Sequence, residues 1–384
     1  MIVNIKPSPP MIFGAGASWR TGMVARGLGI RKALCIYDQG MKDTGIAGRI
    51  VENLKAAGIQ VVCYEGVQPD PPDYIIHEAA TFANEENIDG IIGVGGGSVM
   101  DAAKAVNILT TNPFPITKYF DLGVVQKPGK VLILIPTTAG TGSEVTEFAI
   151  VTDTLNNKKV ATLGPPTIAN QAIIDPELLL GMPASLTAAC GMDAFAHAAE
   201  ALTSSGMNPL SDALAQKAIS LIVDNLPAAV KDNNDITALT NMSFAATIAG
   251  TAFNSTVTHI GHAMAHTIGA FYHIPHGVGC ALALPAVMEF VADTVPEKVR
   301  QIGAAMGLSL DKGMAHAELG LAVADAIREF LRKIGIPTLE ELSVQREMMA
   351  LLVPAVMSDM SSYFSPKWGS AEQVYYLMDN MYKY

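Results

Sequence analysis

From Arg31 to Leu109 short apolar runs alternate with amphipathic stretches: Ala33 to Tyr37, Ile46 to Ala57, Val61 to Tyr64, Tyr74 to Asn87, Ile91 to Val94 and Ser98 to Leu109. Continuous apolar runs of four or five residues are what strands covered on both faces require, and the longer stretches between them carry helical spacing. The rhythm predicts a parallel sheet with crossover helices. A further run, Val131 to Ile135, ends in Pro136 and a Thr/Gly loop, and Ile173 with Ile174 is read as a last strand before Asp175. Beyond Met182 the texture turns Ala-rich, and apolar residues recur at spacings of three and four through Leu186 to Leu202, Ala213 to Leu226 and Ile236 to Ala252. The fold class expected is α/β, an N-terminal Rossmann-like parallel-sheet domain (1–181) followed by an all-helical domain (182–384). The boundary falls near Gly181-Met182-Pro183, which interrupts one pattern before the other begins.

Composition narrows the class. Half of the 384 residues are apolar and 16% are charged, which excludes a disordered chain. No window holds about 18 uninterrupted apolar residues, so no membrane span is expected. The formal net charge of −11, without a Lys/Arg run, lacks the footprint of a nucleic-acid partner. Met1 to Pro10 holds one Lys and three prolines but no signal-peptide core, and Cys35, Cys63, Cys190 and Cys280 are far apart with no CxxC pair. Reduced thiols in a cytoplasmic protein are expected.

The run Gly93-Val94-Gly95-Gly96-Gly97-Ser98 carries a buried strand straight into three glycines and a helix. Backbone amides at a helix start suit a diphosphate, and a Cβ there would hold the phosphate away. An ordinary tight turn is the bland alternative; Asp101 and Lys104 follow, as ligand contacts or as surface charge. Gly14-Ala15-Gly16-Ala17 lacks the third glycine and helix of a dinucleotide fingerprint. Asp38 ends the strand Ala33 to Tyr37, where a carboxylate accepts from an adenosine ribose and repels a 2′-phosphate, which favours NAD over NADP. The loop Pro136 to Glu144 again follows a buried strand and offers hydroxyls.

In the helical half, Asp193 and His197 lie four apart on one helix face. Then come His259, His262, His266, His273 and His276, five of eight histidines within 18 positions. A mixed oxygen and imidazole set suits a divalent transition metal such as Fe(II), Zn(II), Mn(II) or Co(II). Without a cysteine beside the cluster, a structural zinc site is disfavoured. Not all five histidines can be ligands: His266 either binds the ion or stands beside it as a proton carrier, and His259 and His273 are orienting donors or polar rim. Glu200, one turn beyond His197, is given a surface or orienting role.

Taken together, Gly95-Gly96-Gly97-Ser98 with Asp101 and Lys104, Pro136 to Glu144, Gly191-Met192-Asp193-Ala194 with His197, His262-Ala263-Met264-Ala265-His266 and Pro275-His276-Gly277 resemble the iron-dependent (group III) alcohol dehydrogenases over nearly the whole chain, near lactaldehyde reductases and 1,3-propanediol dehydrogenases. The resemblance implies that Asp193, His197, His262 and His276 hold the metal, most simply Fe(II) and alternatively Zn(II), with His266 as proton carrier. It implies that Gly96, Gly97, Ser98 and Asp101 cradle NAD(H), with Thr138 and Thr141 near the nicotinamide, Asp38 at the ribose, and Asp70 and Lys159 as further contacts. The activity implied is hydride transfer between NAD(H) and a small primary alcohol or diol and its aldehyde, in a homo-oligomer (dimer or larger). A cleft between the domains is the expected place for cofactor and metal. A metal-dependent hydrolase, a maleylacetate-reductase-like enzyme of the same fold and a non-catalytic nucleotide-binding scaffold are the rival readings.

Overall fold

The computed structural model describes residues 3–121, 124–156 and 158–384. They fall into two compact units: Pro7–Thr138 with Gly142–Leu180, and Gly181–Tyr384 with Ala139–Thr141 and the short piece ending at Lys6.

The first unit is built on a six-stranded parallel sheet. Its strands are β1 (Met11–Phe13), β2 (Lys32–Asp38), β3 (Gln60–Val67), β4 (Gly90–Gly95), β5 (Val131–Pro136) and, after a separate hairpin, β8 (Gln171–Ile174), in the order β1-β8-β5-β4-β2-β3. The helices of this unit are α1 (Thr21–Gly27), α2 (Gln39–Asp43), α3 (Ile46–Ala56), α4 (Asp73–Glu85) and α5 (Gly97–Leu109). All six residues of β4 are buried, as a central strand covered on both faces must be. Its core joins Leu34 and Ile36 of β2, Ile91 of β4, Leu132 and Leu134 of β5, and Val99, Met100, Val106 and Ile108 of α5.

The topology fixes where a ligand sits. From β2 the chain moves outward to β3, whereas β4 returns to the other side of β2 and leads on to β5. The direction of winding therefore reverses between β2 and β4, and parallel sheets bind ligands outside the carboxyl ends of strands at such a reversal. Asp38 is the last residue of β2, and Gly95 the last of β4.

An antiparallel hairpin, β6 (Phe148–Asp153) with β7 (Lys158–Leu163), forms a second small sheet. No strand is expected there from the sequence. Phe148 to Val151 is an apolar run, but no helical stretch separates it from the run Val131 to Ile135, so it falls outside the strand–helix rhythm; in the fold only alternate residues of β6 are buried. Cys35 and Cys63, remote in sequence, are register partners on β2 and β3 and remain free thiols.

The second unit contains α6 (Ala184–Thr203), α7 (Pro209–Lys231), α8 (Ile236–Thr256), α9 (Ile260–Tyr272), α10 (His276–Val291), α11 (Pro296–Ala305), α12 (His316–Ile334), α13 (Met349–Ser358) and α14 (Ala371–Asn380). The helices expected from periodicity are present and extend further at their ends. Helices α6, α7 and α8 pack on one another, and α10 packs on α6, α9 and α12. Helix α8 is long and apolar enough to cross a membrane, but most of it is buried within the protein. That burial is the behaviour of a core helix.

Candidate metal centre and dinucleotide loop

Three helices of the second unit bring the donors together. On α6, Asp193, His197 and Glu200 occupy successive turns of one face; α9 contributes His262 and His266; α10 starts at His276. Nε2 of His276 lies 3.5 Å from Asp193 Oδ1, and Nε2 of His197 and of His262 each lie 3.8 Å from the same oxygen. Asp193 and His262 are buried, yet Asp193 Oδ1 and His262 Nε2 have no hydrogen-bond partner. Burying such atoms without partners is costly, and a shared cation removes the cost. Burial lowers the His197 pKa to about 4 against the pull of Asp193, so the ring is neutral, as a ligand must be. The donor set therefore fits a divalent ion.

The group whose ligand atoms all fall within 4.8 Å of one another is Asp193, His262, His276 and Cys280, which leaves His197 outside it. Cys280 corrects the expectation that no cysteine borders the histidines. Its Sγ lies 3.6 Å from His276 Nε2, and the sequence signal was available, since residues 276 and 280 share a face of α10. Burial pushes its thiol up to about 11.

Glu200 is fully buried and is no surface residue. Its Oε2 accepts from His262 Nδ1 at 2.6 Å and from the His259 backbone N–H at 2.9 Å; its Oε1 accepts from the Gly261 N–H at 2.7 Å. Two of those donors belong to the start of α9, where a helix presents unpaired amides. Burial alone would raise the Glu200 pKa, but the His259 and His262 rings and these hydrogen bonds hold it at about 2. Gly261 is needed because a Cβ there would overlap the Glu200 carboxylate.

His259 is likewise buried. The Thr203 hydroxyl donates to the Ala199 carbonyl, so its oxygen accepts from His259 Nε2 at 2.8 Å. His273, in left-handed backbone at the end of α9, is exposed rim. His266 stands one turn beyond His262 and stacks on His276 with 5.2 Å between ring centroids. Its Nδ1 donates to Asp359 Oδ2 at 2.9 Å, and Asp359 lies at the end of α13, 93 residues away, where no sequence pattern marked it. Burial raises the Asp359 pKa less than the His266 ring, the hydrogen bond from it and those from Ser361 lower it, so the carboxyl stays below its ordinary value.

In the first unit, Gly96 precedes α5, and Gly97 and Ser98 open it, all three half-buried. A Cβ on Gly96 would press on the Thr138 methyl at 3.3 Å. Ser98 Oγ accepts from the Asp70 backbone N–H at 3.2 Å, and Asp70 Oδ1 pairs with Lys159 Nζ at 2.6 Å, so two of the expected cofactor contacts are joined to each other. Asp38 Oδ1 accepts from the Met41 N–H at 2.9 Å and caps α2, which ties one carboxylate oxygen to the protein. Thr141 belongs to the helical unit, whereas Thr138 belongs to the sheet unit.

Asp101 and Lys104 are not surface charges. Ser143 Oγ donates to Asp101 Oδ1 at 2.6 Å and accepts from Lys104 Nζ at 2.9 Å, and Nζ also donates to the Phe148 carbonyl at 2.7 Å. Lys104 is fully buried, which lowers its pKa to about 8 despite Asp101, Glu144 and Glu147. Burial raises the Asp101 pKa, with Lys104 and Ser143 opposing.

Comparison with known proteins agrees with this arrangement. The model of the iron-containing alcohol dehydrogenases matches residues 8–176, and that of the C-terminal part of the Fe-containing alcohol dehydrogenase family matches residues 187–382. The chain belongs to the iron-containing alcohol dehydrogenase family. Within this family it is 32% identical to the NAD-dependent methanol dehydrogenase of Bacillus methanolicus, over 99% of this chain and 100% of that protein. It is 37% identical to the choline dehydrogenase of Bacillus subtilis (strain 168), over 92% and 89%. A crystal structure of 1,3-propanediol oxidoreductase superposes with a TM-score of 0.95 at 32% identity, covering 99% of this chain and all of that one. The expected class, a parallel-sheet domain followed by helices with oxidoreductase chemistry, is therefore the one observed.

Proposed function

We propose that this iron-containing alcohol dehydrogenase transfers hydride between NAD(H) and a small primary alcohol or diol and its aldehyde, with a divalent ion, Fe(II) or Zn(II), at the Asp193 cluster. The observation that carries the reading is the pair of buried, unpartnered donor atoms, Asp193 Oδ1 and His262 Nε2, facing His276.

Asp193, His197, His262 and His276 hold the ion, and Glu200 fixes His262 with Nδ1 protonated so that Nε2 is the donor. When bound, the ion supplies Lewis-acid stabilisation of charge on the substrate oxygen, and the nicotinamide supplies the hydride acceptor or donor. Asp359 holds the His266 ring by Nδ1, leaving Nε2 to carry the proton exchanged with the substrate. Gly96, Gly97 and Ser98 offer the diphosphate the start of α5, with Asp101, Thr138 and Thr141 as further contacts. Asp70 and Lys159, themselves paired, border Ser98. Asp38, at the neighbouring strand end, accepts from the adenosine ribose with the oxygen not used for capping. This dinucleotide loop at the winding reversal is what disfavours a hydrolase. Four free cysteines suit a reducing cytoplasm, and the family resemblance supports a homo-oligomer, dimer or larger.

The test is His276→Ala. We expect loss of bound metal and of alcohol-linked NAD reduction, with NADH binding, read from nucleotide fluorescence, close to that of the unmutated protein. Retained turnover in a metal-free variant overturns the reading.

A further inference from the structure

We infer that Cys280 is a ligand of the ion, as a thiolate, so that the centre of this chain is a mixed oxygen, nitrogen and sulfur site; the inference rests on the metal site proposed above.

The thiol lies where α6, α9 and α10 meet, packed between Ala196 and Ala265. Small apolar neighbours alone would make it an ordinary core residue. Its sulfur, however, also lies beside donor atoms. Sγ is 3.6 Å from His276 Nε2, and one ligand atom from each of Cys280, His276, His262 and Asp193 falls within a 4.8 Å cluster. Cys280 joins the four donors named above as a fifth ligand; around one five-coordinate ion, with bonds of about 2.0–2.1 Å to nitrogen or oxygen and about 2.3 Å to sulfur, neighbouring ligand atoms stand roughly 2.9–3.8 Å apart. The separations of 3.5 Å (His276 to Asp193), 3.6 Å (Cys280 to His276) and 3.8 Å (His262 to Asp193) match those edges to within a few tenths of an ångström. Two atoms of the cluster, Asp193 Oδ1 and His262 Nε2, are buried and lack partners, which is independent evidence that something shared lies among them.

The chemistry is balanced simply. Coordination forms one sulfur–metal bond and releases the thiol proton to solvent, with no change of oxidation state. The thiolate adds a second negative charge to that of Asp193, so a dication becomes formally neutral within its ligands. A soft donor also moves preference among divalent ions from iron toward zinc.

Cobalt(II) is the probe. Apoprotein titrated anaerobically with Co(II) is expected to show visible d–d bands and a near-ultraviolet sulfur-to-cobalt charge-transfer band. Cys280→Ser should keep the d–d bands and lose the charge-transfer band, while Cys190→Ser and Cys63→Ser keep both. Competition with a chelator should give a zinc affinity at least about tenfold lower for Cys280→Ser, and a smaller loss for Fe(II). Cobalt bound without a charge-transfer band in the unmutated protein, or with a band that survives in Cys280→Ser, overturns the assignment and leaves the metal site standing. No cobalt binding at all overturns both. Because the unmutated protein carries the decisive spectrum, a variant that fails to fold does not rescue the proposal.

Discussion

Glu200 Oε2 accepts a 2.6 Å hydrogen bond from Nδ1 of His262, and the same carboxylate takes two backbone amides at the start of α9. One buried acid thus fixes both the entry of a helix and the orientation of the His262 ring. The other ring nitrogen of His262, Nε2, faces Asp193 Oδ1 at 3.8 Å.

Glu200→Gln disturbs both tasks. The single amide oxygen can serve either His259 and His262 or Gly261, so in each orientation an NH₂ meets one backbone N–H, and the charge that supports His262 is gone. Metal affinity should fall about 10- to 100-fold. Chelator competition on the folded variant measures it, with circular dichroism confirming that α9 persists; an unchanged affinity refutes the orienting role.

At the other functional end, the proposed reading gives Asp38 the choice of cofactor by charge. Asp38→Gly removes the carboxylate that repels a 2′-phosphate, so the ratio of kcat/KM for NADH over NADPH should drop by at least about tenfold, equivalent to about 1.4 kcal/mol. The lost cap on α2 costs only a few tenths of a kcal/mol, because glycine is itself tolerated at that position. Equal use of both cofactors by the unmutated protein would remove the basis of this prediction.

Lys104 gives the protein a pH signature. Its pKa of about 8 in the fold lies below the ordinary 10.5 because burial disfavours the ammonium. Between those values the unfolded chain binds more protons than the folded one, so this residue's contribution to stability rises with pH. Relative to Lys104→Met, the unmutated protein should gain up to about 1.4 kcal/mol per pH unit through that window and nothing below it. Urea denaturation of both proteins at several pH values reads the difference; parallel curves would refute the burial effect.

The parallel sheet was legible because β2, β4 and β5 are continuous apolar runs, a pattern that only strands buried on both faces need. The hairpin β6–β7 was not, since its apolar run Phe148 to Val151 follows the Thr/Gly loop with no helix between and its turn carries no distinctive dipeptide. The candidate metal donors were visible as a local excess of histidine and as the Asp193/His197 spacing. What stayed hidden depends on tertiary placement: Asp359 reaches His266 from a remote helix end, and Lys104 reads as surface charge until Ser143 and the Phe148 carbonyl are seen to receive it. Cys280 lay open to reading at four residues from His276, but a single apolar-looking cysteine does not announce itself as a donor.

His266 and Asp359 form the pair that distinguishes proton transfer from metal binding. His266 is outside the tight donor cluster yet stacked on His276, and its Nδ1 is engaged by Asp359. His266→Ala should therefore keep its metal and lower kcat by about 100-fold or more, the usual scale for losing a positioned acid or base. Asp359→Asn keeps a hydrogen-bonding group of the same size but removes the negative charge beside Nδ1. It should show a smaller fall in kcat, a changed pH profile for alcohol oxidation, and metal content equal to that of the unmutated protein. The decisive comparison is metal analysis beside steady-state kinetics across pH. Loss of metal from His266→Ala would make that residue a ligand, and an unaltered pH profile in Asp359→Asn would reduce Asp359 to a helix-end cap.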